Sequence, residues 1–283
     1  MQKKVWCLLK TTVTAFLNDE ALGRGAAIAF YTVTSIAPVL LIVAAIAGMV
    51  FGREAAQNGI IAQLSGLIGE QGAEILQTAV ASTQSKTSGK IATVVGAVMV
   101  IVAASGVFAE MQTALNVIWK ADPTGTPISR LIRARAAGLG LVVSLGFLLM
   151  VSLAISAGLS AFGDYLNSVF PSGRVILTIV NAVVSLLLIS ILFATIYKVL
   201  PDKHIEWRDV IVGAIVTSFL FTAGKSLIGW YIGSSAVASA YGAAGALIVM
   251  LLWVYYSAQI FLLGAEFTRA YSDRAKSDDT FRA

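Results

Sequence analysis

From residue 25 to residue 52 the chain carries no charge, and that run dictates the solvent in which it can fold. A helix needs roughly 20 mostly apolar residues to cross about 30 Å of hydrocarbon. In lipid each backbone polar group must also find its partner inside the segment, which a helix achieves. The run bounded by Arg24 and Arg53 therefore reads as a membrane span. Similar uncharged runs lie between Lys90 and Glu110, between Arg135 and Asp164, and between Arg174 and Lys198. From Asp209 to Glu266 the only charge is Lys225, and the stretch is too long for one crossing. Gly233, Ser234 and Ser235, with Tyr241 and Gly242, divide it in two.

Composition agrees. Charged residues make up 12% of the chain, against roughly 25% in soluble domains. The expected fold is all-α: a polytopic membrane helix bundle of about six transmembrane helices, with interfacial amphipathic helices beside it. One membrane domain fills residues 1–283, with spans near 27–51, 91–111, 136–162, 175–197, 210–232 and 243–264. Residues 1–24 form a cytoplasmic interfacial helix, in which Val5, Trp6, Leu8, Leu9, Val13, Phe16 and Leu17 set the apolar side. Residues 52–90 form an extracytoplasmic helical segment resting on the outer face, and 265–283 a cytoplasmic tail. The first long apolar run starts only after Arg24, so no cleavable signal is read there.

Charge orients the bundle. With the amino terminus inside, fifteen lysines and arginines fall in inner segments. Only Arg53, Lys86, Lys90 and Arg174 fall in outer ones, and Lys225 lies within a span. That bias follows the positive-inside rule and places both termini in the cytoplasm. The basic residues sit in short inner segments without interleaved aromatics, so the net charge of +5 is not read as a nucleic-acid surface.

Chemistry is excluded more readily than it is assigned. His204 is the single histidine and Cys7 the single cysteine, so neither a metal site nor an internal disulfide is expected. No HExxH, CxxC, GxSxG or P-loop spacing occurs. No catalytic group, metal or cofactor is therefore expected, and the chain is read as not being an enzyme.

Lys225 stands out, because a charge at the centre of a span costs roughly 2.5–3.5 kcal/mol on insertion scales unless it is paired, hydrated or snorkelling. At helical spacing it shares a face with Ser218, Thr222, Gly229 and Gly233. That face either lines a wet interior or lets the lysine snorkel outward. In the first reading Lys225 holds an anionic group, and Ser218, Thr222, Tyr31, Ser35 and the proline-freed carbonyl near Pro38 line the route. Glu110 and Glu266, at the inner ends of spans two and six, are candidates for a gating or proton-linked role. Gln112, Asn116 and Trp119 follow Glu110 on another face, so that helix is expected to emerge and be wet all round.

The stretch from Ala26 to Pro38 (AAIAFYTVTSIAP) resembles the opening signature of the YihY/BrkB family of bacterial membrane proteins. Ala114-Leu115-Asn116-Val117-Ile118-Trp119 resembles the segment after that family's second span. Tyr241 to Gly245, Leu252-Trp253-Val254-Tyr255-Tyr256 and Leu263-Gly264-Ala265-Glu266 are similar to its last span, and Lys225 falls where the family commonly has a lysine. The resemblance implies a six-span protein of the bacterial cytoplasmic (inner) membrane. Some members were once labelled ribonuclease BN, a label that fits poorly with a chain lacking acid–base or metal constellations. Others have been connected genetically with export of lipid A precursors. The resulting expectation is a transporter or flippase-like protein for an anionic lipid or other amphiphile. The alternative is a non-transporting envelope scaffold. Expected partners are membrane lipids, an anionic amphiphile and a second copy of the chain, but not nucleic acid.

Overall fold

A computed structural model describes residues 2–52, 58–59, 106–121, 173–234 and 243–280. Spans near 91–111 (up to residue 105) and 136–162, and most of the 52–90 segment, lie outside the described residues. Among the described residues the regular structure is entirely helical. We label the helices α1 (Gln2–Asn18), α2 (Ala21–Phe51), α3 (106–118), α4 (Gly173–Val199), α5 (Trp207–Ser234) and α6 (Ala243–Thr280). Stretches Ala182–Val199 of α4, Trp207–Gly229 of α5 and Ile248–Ala275 of α6 are each long and apolar enough to cross a membrane. α2 is 31 residues long, which at 1.5 Å per residue is roughly 46 Å. The protein is thus a helical membrane protein.

Hydroxyls within these helices are satisfied locally. Thr32 donates to the Ile28 carbonyl, Ser190 to Leu186, Thr195 to Ile191, Ser257 to Trp253 and Thr268 to Gly264, each four residues back. In a medium without water this is the simplest partner for a serine or threonine on a helix.

α5 and α6 interlock through matched glycine–threonine pairs. Thr217 of α5 lies against Gly264 of α6, and Thr268 of α6 lies against Gly213 of α5. Farther along, Gly224 receives Tyr256 and Ile260. As position numbers rise on α5 they fall on α6, so the two helices run antiparallel. A Cβ at Gly264 would sit 2.6 Å from the Tyr197 Oη, and one at Gly213 would sit 2.7 Å from the Thr268 Cβ. Small residues at these positions let the backbones approach where no hydrophobic effect drives association. α4 joins them through Tyr197, whose hydroxyl donates to the Phe261 carbonyl (2.7 Å) and shares a hydrogen bond with Thr217 (3.1 Å). Phe193, Tyr197 and Phe261 stack around this point.

The C-terminal end of α3 differs from the sequence expectation. Leu115, Ile118 and Trp119 are buried, as is Gln112, so the helix does not emerge wet all round. The 200–206 connection folds over it: Asn116 accepts a bond from the Asp202 backbone N–H and donates to the Asp202 carboxylate, both at 2.8 Å. Lys203 donates to the Trp119 carbonyl at 2.8 Å. The polar side chains that suggested a solvated surface are instead paired with a loop some 86 residues away in sequence. The Trp119 Nε1 is buried without a partner among the described residues, and nothing in the structure explains it.

Candidate functional site

The residues singled out from sequence fall into two places. On α5 the packing stripe runs through Val210, Gly213, Thr217, Phe221 and Gly224. Helical residues advance about 100° each, so Lys225, one position past Gly224, lies on the flank of that stripe. Lys225 and Thr222 are exposed, with Phe219 and Leu227 exposed beside them. Ser218 is buried, and its hydroxyl donates to the Ala214 carbonyl, while Thr222 donates to Ser218. Those hydroxyls spend their protons on their own helix and keep only lone pairs for anything else.

On α2, Ser35 is buried and donates to the Thr32 carbonyl at 3.2 Å. Tyr31 is exposed, its ring edge-on to Phe30 and at the distance of an ordinary contact from the place a Cβ would occupy at Gly106 of α3. Pro38 lies within α2, and its side chain is outside the described residues.

Glu266 is the other place. Its side chain is fully buried, at 0% exposure, and neither carboxyl oxygen has a hydrogen-bond partner among the described residues. Beside it lies the Asp19 carboxyl, 9% exposed, from the two-residue joint between α1 and α2. Asp19 is well supplied with cations: Lys120 Nζ at 2.5 Å and Arg269 Nη1 at 3.4 Å. Arg269 also donates to the Ile118 carbonyl at 2.7 Å, and its Nε faces Asp273 at 3.6 Å. The cluster therefore ties together the α1–α2 joint, the end of α3 and the C-terminal half of α6. Glu110 stands apart, half-buried on α3 one turn before the buried Ala114.

The backbone is shaped around this cluster. Lys120 is left-handed, with φ 48°. Its N–H bonds the Val117 carbonyl and the Ala121 N–H bonds that of Asn116, a Schellman ending for α3. Glycine usually takes this position because a Cβ is disfavoured there. Lysine here brings its ammonium onto Asp19. Glu20 is also left-handed, with φ 56°, and turns the chain from α1 into α2.

Sequence reasoning selected Glu266 but missed Asp19, Lys120 and Arg269 as its surroundings. Asp19 and Lys120 are 101 positions apart, and Asp19 and Arg269 are 250 apart. The available hints were an acid lodged between two helices in a lysine-rich inner segment, and a lysine where a helix ends without glycine.

The sequence profile of a family described as virulence factor BrkB matches residues 12–283. An UPF0761 membrane protein of Alkalilimnicola ehrlichii is 27% identical over 265 residues, covering 90% of this chain and 56% of that protein. The UPF0761 membrane protein YihY of Salmonella typhimurium is 34% identical over 180 residues, covering 62% of this chain and 58% of its own length. The chain thus spans less than two thirds of the length of these relatives. No solved structure matches it. With a match over nearly the whole chain, and relatives that are themselves called membrane proteins, the protein belongs to the YihY/BrkB family.

Proposed function

We propose that this protein is a multi-pass transporter of the bacterial inner membrane, flippase-like, for an anionic lipid or another anionic amphiphile, and that it is not an enzyme. The observation that carries this reading is the exposed ammonium of Lys225 on the flank of a helix able to cross a membrane, with exposed Thr222 one turn before it and exposed Phe219 and Leu227 around it. Such a surface offers a charged headgroup a partner while its chains stay against apolar side chains. The headgroup's negative charge would in turn offset the cost of holding Lys225 in the span.

Six spans with both termini inside belong to the same proposal. The inner segments assigned from charge, around Asp19, Lys120, Lys203 and Arg269, gather at one end of the described helices, which supports it. Glu266 is the group we assign to proton exchange or gating at that end. Two neighbouring carboxyls with only one set of cationic partners can be satisfied by one shared proton.

The test is lipid movement in vesicles containing the purified protein, with fluorescent anionic and zwitterionic lipids. Crossing should require protein, favour the anionic lipid and fall at least fivefold in Lys225→Ala. Equal crossing by the variant and the parent would remove Lys225 from the route. Absence of protein-dependent crossing for every anionic amphiphile tried would leave the envelope-scaffold reading in its place.

A further inference from the structure

α1 is apolar on two adjoining flanks, and only one of them is used. Thr12 is buried, and Phe16 packs against the main core, so this flank rests on α6 and α2. The second flank carries Trp6, Leu9, Val13 and Leu17, spaced by three, four and four residues, which places them on one side of a helix. They are exposed by 73%, 47%, 51% and 59%. Beyond that stripe the exposed residues of the helix are Cys7, Lys10, Thr11, Thr14 and Asn18. Within Gln2–Asn18 there are three lysines and no acid.

An apolar stripe of this kind, on a helix bearing only positive charge, fits a negatively charged apolar boundary. The joint to α2 is only Asp19 and Glu20, so α1 is held at the level where the long apolar helix α2 begins. A second copy of the chain is the poorer occupant. Two such stripes paired about a two-fold axis would bring together two helices that carry only positive charge.

We propose that α1 lies on the inner surface of an anionic bilayer, with Trp6, Leu9, Val13 and Leu17 seated among the lipids and Lys10 at the headgroups. This stands apart from the transport reading and holds whether or not the protein moves a lipid. The α6-facing flank fixes the helix against the bundle, and the lipid-facing flank sets its depth. Lysine at the edge of the stripe extends its stem over apolar surface and its ammonium to phosphate. Tryptophan is the residue most at home at that boundary.

The single cysteine makes the test direct. In a Cys7→Ser background, spin labels are placed through Leu9→Cys and Val13→Cys on the stripe, and through Thr11→Cys and Thr14→Cys on the polar side. The full-length protein is held in discs of phosphatidylcholine, with or without phosphatidylglycerol. Oxygen accessibility relative to a water-soluble nickel complex should be severalfold higher at 9 and 13 than at 11 and 14. Phosphatidylglycerol should deepen the labels at 9 and 13, and Lys10→Glu should abolish that gain. Equal aqueous exposure at all four positions would overturn the proposal. So would dipolar broadening at position 13, which would assign the stripe to a second copy. Indifference to both phosphatidylglycerol and Lys10→Glu would overturn its anionic part.

Discussion

Lys225 and Glu266 are the two charges that a reader of the sequence would pick out at the apolar helices, and the structure treats them oppositely. Lys225 is exposed on the flank of α5, next to a packing stripe that does not need it. Glu266 is fully enclosed where α6 meets the α1–α2 joint and the end of α3. A long flexible cation can reach water or phosphate from a helix surface, whereas a short carboxyl within one turn of Arg269 takes whatever its neighbours offer. The lesson concerns substitution. Lys225 can be truncated with little effect on the fold, whereas at Glu266 only a side chain of the same shape is tolerated, because helices close on it from every side.

The largest expected effect breaks the packing that separates the two. Gly264→Leu drives a side chain into Thr217 and Tyr197, where even a Cβ finds no room. Overpacking of this kind costs about 1–3 kcal/mol or more, and should appear as a much lower Tm in detergent or as loss of monodisperse protein. An unchanged Tm would mean that α4, α5 and α6 do not close on one another as described.

Next comes Asp19→Ala, which strips Arg269 and Lys120 of their shared carboxylate. Removing one partner of a fully buried pair costs about 3–5 kcal/mol, but Lys120 is more than half exposed and Arg269 one-quarter exposed. The loss should accordingly be near 1–2 kcal/mol, read as a drop in Tm that high salt reduces. Glu266→Gln sharpens the contrast. Its carboxyl oxygens receive no donor among the described residues, so the amide should leave Tm unchanged or raise it, by about 1 kcal/mol at most. If Glu266 acts in proton exchange, lipid crossing in the vesicle assay should lose its pH dependence in this variant.

Smaller still is the effect expected at Lys120. Lys120→Ala keeps a Cβ in the left-handed cap but loses the ammonium, and should cost about 0.5 kcal/mol because the lysine is more than half exposed. Lys120→Gly loses the same ion pair but relieves the backbone, so its Tm should lie above that of the alanine variant. The reverse order would show that the cap geometry is not what opposes the lysine. Smallest of all, Lys225→Ala should stay within about 0.5 kcal/mol of the parent in Tm, while changing anionic-lipid crossing.

The helices were legible because their cause is local. An uncharged apolar run must hydrogen-bond its own backbone in lipid, so α2, α4, α5 and α6 follow from sequence without knowledge of their neighbours. Glu266 was legible as a candidate only as the charge that ends the apolar run after Lys225; that it is buried was not. The solvation of α3's C-terminal end was misjudged, because Gln112 and Asn116 look solvent-facing until Asp202 arrives from the 200–206 connection.

What the sequence alone determined is the solvent of this protein and the helical state of its long apolar runs, both set by backbone desolvation over runs of about 20 residues. What only the tertiary structure decided is which polar groups meet. Glycine at 213 and 264 brings α5 and α6 close enough for each threonine to reach the other helix. The left-handed turns at Glu20 and Lys120 bring Asp19, Lys120, Arg269 and Glu266 to one point. Hydrocarbon rewards a helix for satisfying its own backbone but says nothing about which neighbour it packs against. That choice falls to side-chain volume and to charges far apart in sequence.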